Sequence, residues 1–335
     1  MMINILINCT SKFNINARSL KMMGGIESLN YNLAINLSKE NYNITLSTHC
    51  NKSNHRNNIL NIPIKLIKKN AKKYNFHFII SSNDSSIFSL FPNSKKILWL
   101  HNPLQIEKSL RKKQFFHILK NKPTAIFVSQ YLRLITSNFY PFKDKFVIPN
   151  FLTSNFTTKI KTKKRKPIFV WSVQRDRGLS STIDMWIDRI HPLSNVAMFY
   201  IMGIEKNPTK YNDKYLRSKN IIILGRVSKT KLKNIYMQAT AMICLGYDET
   251  FCLNALEANS CGLPVITFGK TALKELVRHN YNGFIVDNFS DLSKKILFFL
   301  KIDQKKQQIY INNALLFSKK YHPNNTIYKW LKLLK

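Results

Sequence analysis

The feature that most constrains the fold of this chain is a regular alternation between short apolar runs and segments with helical periodicity. Between the runs, Leu29, Leu33 and Leu37 repeat one face of a helix. Buried strands that alternate with helices are typical of parallel sheets joined by right-handed crossovers. One set of runs in each half of the chain therefore predicts two doubly wound α/β domains. The runs cover residues 3–7, 44–48, 77–80, 97–100, 125–128, 146–148, 168–172, 197–201, 221–224, 241–245, 264–268 and 284–286.

The boundary between the two domains is visible as a basic segment without hydrophobic periodicity. Residues 155–166 carry basic side chains at positions 159, 161 and 163–166, and we expect them to form an exposed linker. This predicts one Rossmann-like domain over residues 1–155 and another over 167–318. Residues 319–335 are expected to include a helix, with Ile327 and Trp330 on its apolar side, that packs back toward the N-terminal domain.

The composition favours a globular protein in a reducing compartment. Hydrophobic residues make up 44% of the 335 residues, and no apolar run reaches the roughly 20 residues that span a bilayer. The first nine residues predict a buried strand, since they lack the charged start and cleavage site of a signal peptide. The five cysteines have no metal-finger spacing and are expected to be reduced thiols. A cytoplasmic location follows as a prediction.

The charge of the chain is strongly positive in both halves. Lys and Arg number 53 against 17 acidic residues, and the net charge is +36. Such an excess favours contact with a polyanion, either nucleic acid or the anionic inner face of a membrane, although compositional drift is an alternative. Residues 105–122 combine apolar and basic side chains, which predicts either a helix at a membrane surface or a helix packed on the core.

The most informative motif is the segment 249–257, which reads ETFCLNALE and is followed by Cys261-Gly-Leu-Pro-Val. Two carboxylates eight residues apart span on the order of 12 Å along a helix. This separation suits a sugar and a ribose joined through a diphosphate, which the start of the helix would bind through its free N–H groups. Glu249 is then a candidate for the sugar hydroxyls and Glu257 for the ribose hydroxyls. The alternative is that these acids merely cap a helix.

Together with residues 221–227 and the Asn282-Gly-Phe-Ile-Val-Asp287 segment, this string resembles the glycosyl transferases group 1 in order and spacing. The resemblance covers nearly the whole chain and implies a GT-B fold, in which two Rossmann-like domains face each other across a cleft. It further implies an N-terminal domain that binds the acceptor and a C-terminal domain that binds the donor. In that scheme Glu249 contacts the donor sugar and Glu257 the ribose. The backbone of Phe251, Cys252 and Leu253 binds the phosphates, and the loop at Arg226-Val227 flanks the base.

The resemblance also assigns basic residues to the diphosphate. Arg177, which precedes Gly178 after a strand, matches a basic position of the family. Fixed cations stabilise the negative charge that develops when a nucleoside diphosphate departs. Many members have another Arg several residues earlier, where this chain has Ser172, Val173 and Gln174. Whether Arg175 replaces that residue stays open, and surface arginines in a turn are the alternative for both positions.

In the first half, two sites resemble family positions. Gly24 and Gly25 precede a predicted helix, where paired glycines let the backbone approach a phosphate. His101 follows a predicted strand, and ligands of open parallel sheets lie at the carboxyl ends of strands. The resemblance implies that His101 reaches the donor sugar as a catalytic residue together with Glu249. A His that packs beside the strand end is the alternative.

The expected activity is transfer of a sugar from a nucleotide-sugar co-substrate to a hydroxyl of a glycan or a lipid-linked acceptor, in the synthesis of a cell-surface polysaccharide or glycolipid. The resemblance implies retention of the anomeric configuration, through a front-face displacement in which the leaving phosphate accepts the acceptor's proton. The sequence has no D-x-D triplet and no zinc-ligand spacing, so no metal and no other cofactor is predicted. Three alternatives stay open: a polyanion- or nucleic-acid-binding protein, a GT-B sugar-nucleotide epimerase and a non-catalytic sugar-nucleotide binder. No specific nucleic acid is expected, because no nucleic-acid motif is present.

Overall fold

A computed structural model of the chain describes residues 2–16, 23–157, 165–173, 176–205 and 207–335. The chain divides into two compact units. The first comprises Met1–Thr153 together with Pro323–Lys335, and the second comprises Ser154–His322. No helix within the described ranges is long and apolar enough to cross a membrane.

The described residues of the first unit form an eight-stranded sheet in the order β3-β4-β2-β1-β5-β6-β7-β8. Neighbouring strands pair in parallel except β3, which is antiparallel to β4 at one edge. The strands are β1 (Asn4–Cys9), β2 (Asn43–Thr48), β3 (Asn54–Arg56), β4 (Ile59–Pro63), β5 (Phe78–Ser82), β6 (Lys95–Leu100), β7 (Thr124–Phe127) and β8 (Lys145–Val147).

The second unit contains, in its described part, a six-stranded parallel sheet in the order β11-β10-β9-β12-β13-β14. Every residue of β9, β12 and β13 is buried, as expected for strands covered by helices on both faces. The strands are β9 (Ile168–Trp171), β10 (Met198–Met202), β11 (Ile221–Gly225), β12 (Ala241–Ile243), β13 (Val265–Thr267) and β14 (Gly283–Ile285).

Helices connect the strands in both units. In the first unit they are α1 (Gly25–Ser38), α2 (Ile64–Lys69), α3 (Ile106–Arg111), α4 (Gln114–Asn121), α5 (Gln130–Ile135) and, at the end of the chain, α12 (Pro323–Leu333). In the second unit they are α6 (Leu179–Met185), α7 (Asp213–Ser218), α8 (Lys229–Gln238), α9 (Leu253–Ser260), α10 (Phe289–Lys301) and α11 (Gln304–Ser318). The prediction of two parallel α/β domains is confirmed, and each of the twelve predicted strands is present.

The hairpin of β3 and β4 was not predicted. Its turn is formed by Asn57 and Asn58, whose φ angles of 51° and 58° are those of a two-residue turn with left-handed residues. In a chain that is rich in Asn throughout, this pair gives little signal. The strand β3 itself, Asn54–Arg56, is polar and lies at the sheet edge, so it has no apolar alternation to reveal it.

The interpretation of residues 155–166 as an exposed linker is wrong at Arg165. Burial of its guanidinium lowers the pKa of Arg165 to about 10. Residues 158–164 lie outside the described part of the chain. The guanidinium donates to four backbone carbonyls, those of Tyr236 (2.6 Å), Ala239 (3.2 Å), Cys261 (3.0 Å) and Gly262 (2.7 Å). The last basic residues of the segment therefore include a buried structural contact.

The segment 105–122 forms two helices, α3 and α4, rather than the single helix that its pattern suggested. Lys113 separates them. Its φ of 57° is a left-handed conformation, which interrupts the helix between α3 and α4. The side chains of Ile106, Leu110, Phe116 and Leu119 remain exposed, whereas Ile118 is buried. The membrane-surface helix and the core-packed helix with a solvated face both stay predictions for this segment.

Helix α12 belongs to the first unit although it follows the whole second unit in sequence. It packs against α1, and Trp330 lies with its ring centroid 5.0 Å from that of Trp99 in an edge-to-face arrangement. Both rings are fully buried. An aromatic pair of this geometry adds roughly 0.5–1.5 kcal/mol beyond area burial.

Candidate functional site

The residues predicted for the donor in the second unit follow β9, β11 and β12, at the carboxyl edge of the sheet. This edge is where open parallel sheets bind ligands. Val227 is half-buried in the turn between β11 and α8. Arg175 lies outside the described residues. The others are placed by the segment before α6 and by the segment that leads into α9.

Arg177 and Glu249 meet in an ion pair between Nη1 and Oε1. Arg177 has a φ of 41°, and Gly178 follows it with a φ of 93° before α6 begins. A Cβ at Gly178 would lie 2.7 Å from Cε2 of Tyr247, so only glycine fits this position. The glycine thus lets the chain turn closely past the β12 loop, and the turn brings Arg177 to Glu249. The two predicted residues are therefore in direct contact.

The loop that carries Glu249 is fixed by its backbone. The Thr271 hydroxyl donates to the carbonyl of Gly246 at 2.8 Å, and the backbone N–H of Ala272 donates to the carbonyl of Glu249 at 3.3 Å. Phe251, two residues after Glu249, is buried and packs edge-to-face on Tyr321, with 5.8 Å between centroids. Glu249 therefore presents its side chain from an anchored loop.

Cys252 is the N-cap residue of α9. Its φ of 69° is left-handed, and Leu253 begins the helix directly after it. The Sγ atom lies 3.6 Å from Sγ of Cys244, and this hydrogen bond together with burial raises the pKa of Cys252 well above that of an ordinary thiol. The free N–H groups at the start of α9 carry the partial positive charge that binds anions.

Glu257 lies one helical turn into α9 and is 2% exposed. Nζ of Lys229 donates to both of its carboxylate oxygens, at 2.7 and 2.9 Å. Burial raises the pKa of the Glu257 carboxyl, and the Lys229 ammonium acts in the opposite direction. Lys229 is the first residue of α8, whose N-cap Ser228 accepts a hydrogen bond from the backbone of Lys231.

Lys229 was not among the predicted site residues. Its ammonium also lies 5.4 Å from the ring centroid of Phe156, so it is held between an aromatic face and a carboxylate. The available signal was its position two residues after Val227, in a loop already assigned to the nucleotide. Among 53 basic side chains that position did not stand out.

Helix α9 is held to the end of β9 by polar contacts. The Asn254 side-chain amide donates to the carbonyl of Ser172, and the Ser172 hydroxyl lies 2.6 Å from the Tyr236 hydroxyl. Ser172, one of the three residues at the position of the family's earlier Arg, thus has a structural role. Glu249 precedes the start of α9 and Glu257 lies within the helix, and each has a cation beside it.

In the first unit, Gly24 is the N-cap of α1 and Gly25 its first residue. The Glu27 carboxylate lies against Gly24 so closely that a Cβ there would overlap it. An acidic side chain in the first turn is favoured by the helix dipole. In this structure the position predicted for a phosphate is therefore next to a carboxylate.

His101 directly follows β6 and is 5% exposed. Its backbone N–H donates to Oδ1 of Asn83 at 2.8 Å, and its ring packs on Trp99 with 4.4 Å between centroids. Burial lowers the pKa of His101 to about 3, so the imidazole is neutral near pH 7. Gly24 and His101 both lie at the carboxyl side of the first sheet, after β1 and β6 respectively.

Within the described ranges, no group of three or more His, Cys, Asp or Glu side chains is arranged to hold a metal ion. Near Glu249 and Glu257 the side chains that meet the carboxylates are cations instead, Arg177 and Lys229. Among the described residues, Arg177, Lys229 and the start of α9 thus place positive charge beside the two carboxylates.

Sequence comparison shows that part of the chain is similar to known proteins. The family model described as "Glycosyl transferases group 1" matches residues 152–316. The chain is 26% identical over 144 residues to N,N'-diacetylbacillosaminyl-diphospho-undecaprenol alpha-1,3-N-acetylgalactosaminyltransferase of Campylobacter jejuni subsp. jejuni serotype O:2. That match covers 42% of this chain and 38% of the relative, so it spans well under half of the relative's length.

Solved structures share the fold over almost the whole chain. A glycosyltransferase from Rickettsia africae superposes with a TM-score of 0.74 at 17% identity, covering 99% of this chain and 97% of that chain. Anabaena HepE in complex with UDP and glucose gives a TM-score of 0.71 at 13% identity, with 99% of both chains covered. At such identities the likeness establishes the fold, which is that of GT-B proteins.

Proposed function

We propose that this chain, which belongs through residues 152–316 to the glycosyl transferases group 1, transfers a sugar from a nucleotide-sugar donor. The acceptor is a hydroxyl of a glycan or of a lipid-linked molecule. The observation that carries this proposal is the arrangement around the start of α9. Glu249 and Glu257 flank the helix start, and each is held by a cation, Arg177 or Lys229.

Each part of a nucleotide sugar has a complementary group in this arrangement. The Glu257 carboxylate accepts hydrogen bonds from the ribose hydroxyls, and Lys229 opposes the rise in its pKa that burial causes. The diphosphate binds at the N–H groups of Phe251, Cys252 and Leu253 and at the guanidinium of Arg177. When the diphosphate binds Arg177, the ion pair between Arg177 and Glu249 breaks. The Glu249 carboxylate then becomes available to the sugar hydroxyls.

The chemistry follows from where charge develops. Cleavage of the bond between the sugar and the diphosphate leaves negative charge on the departing oxygen, which Arg177 and the α9 start stabilise. That oxygen accepts the proton of the attacking acceptor hydroxyl, so the new bond forms on the face that the leaving group vacates and the configuration is retained. His101, neutral because of its low pKa, takes part as a hydrogen-bonding group to the sugar. No divalent metal is required in this proposal, because these groups provide the positive charge.

The acceptor side is proposed from the surface of the first unit. Phe116 (57%) and Leu119 (48%) on α4 are exposed, and so are Ile106 and Leu110 on α3, the helix that α4 contacts. The same two helices and the turn between them carry exposed basic residues at positions 108, 111, 112, 113 and 120. Apolar side chains ringed by cations bind to anionic bilayers peripherally. The name of the Campylobacter relative describes an undecaprenol-linked acceptor, which supports a lipid-linked acceptor here.

The test is release of nucleoside diphosphate from a panel of UDP-, GDP- and ADP-sugars, with and without a chelator. We expect one donor to be hydrolysed slowly, with no effect of the chelator. Glu257→Ala should abolish this release, because the ribose contact is lost. Glu275→Ala, which alters a carboxylate outside the proposed donor site, serves as the control and should retain it.

The panel also separates the alternatives. Release of free diphosphate supports transfer, whereas conversion of one nucleotide sugar into another would show an epimerase. Absence of both release and nucleotide binding would contradict the donor site and favour a protein that binds polyanions.

A further inference from the structure

A cavity of about 670 Å³ opens in the second unit between residues 274–285 and the end of α11. Sites for small organic ligands commonly occupy roughly 300–1,000 Å³. The cavity lies toward β14, whereas Val227 follows β11 at the opposite edge of the sheet. None of its lining residues belongs to the proposed donor site, so it is a separate feature of the unit.

The cavity wall carries an excess of positive charge. Lys274 and Arg278 come from the segment after β13, and Lys320 comes from the segment after α11. Glu275 is the acidic side chain among the lining residues. Cations that face one cavity repel each other unless an anion lies between them. Three cations from two segments distant in sequence, against the single carboxylate of Glu275, leave a net positive charge that favours an anionic occupant.

Aromatic rings hold two of these cations in place. Nζ of Lys320 lies 3.9 Å from the ring centroid of Phe317 and 4.8 Å from that of Tyr321. The guanidinium of Arg278 lies 5.5 Å from the ring centroid of Tyr281. Partial loss of hydration lowers the pKa of Lys320; Glu275 raises it and Arg278 lowers it further. Contacts with ring faces orient a cation while leaving its N–H groups for a ligand.

The remaining wall is apolar. Leu316 is exposed beside Phe317, and Val277 and Ile285 line the same cavity. A simple inorganic anion would leave these side chains in water, whereas an ester of phosphate would cover them with its organic part. Arginine binds phosphate with paired donors, and lysine adds a point charge.

We infer that this cavity binds a phosphate ester, with the phosphoryl oxygens between Arg278 and Lys320 and the organic group against Leu316 and Phe317. The ester is either a soluble metabolite or the head of a lipid, and the chemistry of the site is the same for both. The inference does not rest on the proposed transfer reaction, because it concerns binding alone.

The experiment measures the affinity of the full chain for two probes by calorimetry. One is glycerol 3-phosphate, and the other is dihexanoyl phosphatidic acid below its micelle concentration. The variant Arg278→Gln/Lys320→Gln removes the two oriented cations. The control Lys301→Gln/Lys305→Gln removes two exposed charges from the same unit, so both variants have the same net charge.

We expect the pocket variant to bind at least one probe about tenfold more weakly than the wild type, as the loss of charge-assisted hydrogen bonds implies. The control variant should bind as the wild type does. Tighter binding of the lipid probe would identify a lipid phosphate as the source, and equal binding would identify a soluble ester. Equal affinities of the two variants, or binding of neither probe to the wild type, would overturn the inference. Donor hydrolysis has no part in these readouts, so failure of the proposed function would be seen separately.

Discussion

At the scale of single residues, the pair of Lys229 and Glu257 decides whether a buried carboxylate can stay charged. Glu257 is almost fully buried, and burial alone favours its neutral form. The two hydrogen bonds from Lys229 oppose this effect. A charge that stays buried after its partner is removed is strongly destabilising.

Lys229→Met should therefore make the stability of the second unit more dependent on pH. The pKa of Glu257 is already raised in the folded state, so its contribution is fully present below the ordinary pKa of about 4.5 and is lost as the pH rises through the folded pKa. Without Lys229 the folded pKa rises further, and the loss continues to higher pH. We expect an additional decrease of about 2 kcal/mol in the free energy of unfolding between pH 5 and pH 8.

Urea unfolding at fixed ionic strength, followed by tryptophan fluorescence, measures this difference. Lys231→Met is the matched control, because Lys231 is exposed on the same helix. Parallel pH profiles for the two variants would contradict the assigned role of Lys229.

The candidate site could be predicted from the sequence where the spacing of residues carries information. Glu249 and Glu257 stand in a string whose order is specific, and Arg177 precedes a glycine that the turn requires. Lys229 could not be predicted in the same way. Its importance comes from a contact between α8 and α9, and nothing in its local sequence reveals which carboxylate it meets.

At the scale of secondary-structure elements, Arg165 donates hydrogen bonds to the carboxyl-terminal ends of two helices. The last carbonyls of a helix have no partner within it. Arg165 donates to carbonyls at the end of α8 and to those just after α9, and its positive charge suits both helix ends. One side chain thereby fixes the two helices that carry Lys229 and Glu257.

Arg165→Met should destabilise the second unit by about 3 kcal/mol, because several buried carbonyls lose their donor at once. Lys166→Met, an exposed neighbour, should leave the stability within about 0.5 kcal/mol of the wild type. The measurement is the urea midpoint of each variant at pH 7. A value for Arg165→Met near that of the control would show that water replaces the guanidinium at these helix ends.

Elements could be predicted where burial leaves an apolar pattern in the sequence, and could not be predicted where it leaves none. Strands such as β5 and β9 are buried along their whole length, and their apolar runs are visible in the sequence. The break at Lys113 between α3 and α4 is different, since a lysine with positive φ has no characteristic sequence pattern. The role of Arg165 was missed because a basic run in sequence resembles a solvated linker until its contacts are known.

At the scale of the whole molecule, the net charge of +36 gives the surface a long-range attraction for anions. Charge alone is screened within about 10 Å at moderate salt, so stable membrane contact also requires apolar insertion. The exposed side chains of Phe116 and Leu119 are suited to that insertion. The sequence indicated a basic surface, but only the structure shows which apolar side chains are exposed.

Phe116→Ser/Leu119→Ser should reduce binding to vesicles that contain phosphatidylglycerol by about tenfold or more, because each buried side chain contributes roughly 1.5–3 kcal/mol. Leu193→Ser/Val196→Ser is the control, since it removes two exposed apolar side chains from the second unit. Sedimentation with vesicles measures the bound fraction. Equal loss in both variants, or none in either, would refute the assignment of the membrane contact to α4.

The discontinuous first unit has a consequence for biosynthesis. Trp99 is buried against Trp330, but Trp330 is translated only after residues 154–322. At rates of roughly 5–20 residues per second, the ribosome needs on the order of ten seconds or more to make that interval. During this time the nascent first unit leaves the indole of Trp99 without its partner. Chaperones that recognise exposed aromatic surface therefore have a defined period in which to act, and that period ends when α12 emerges.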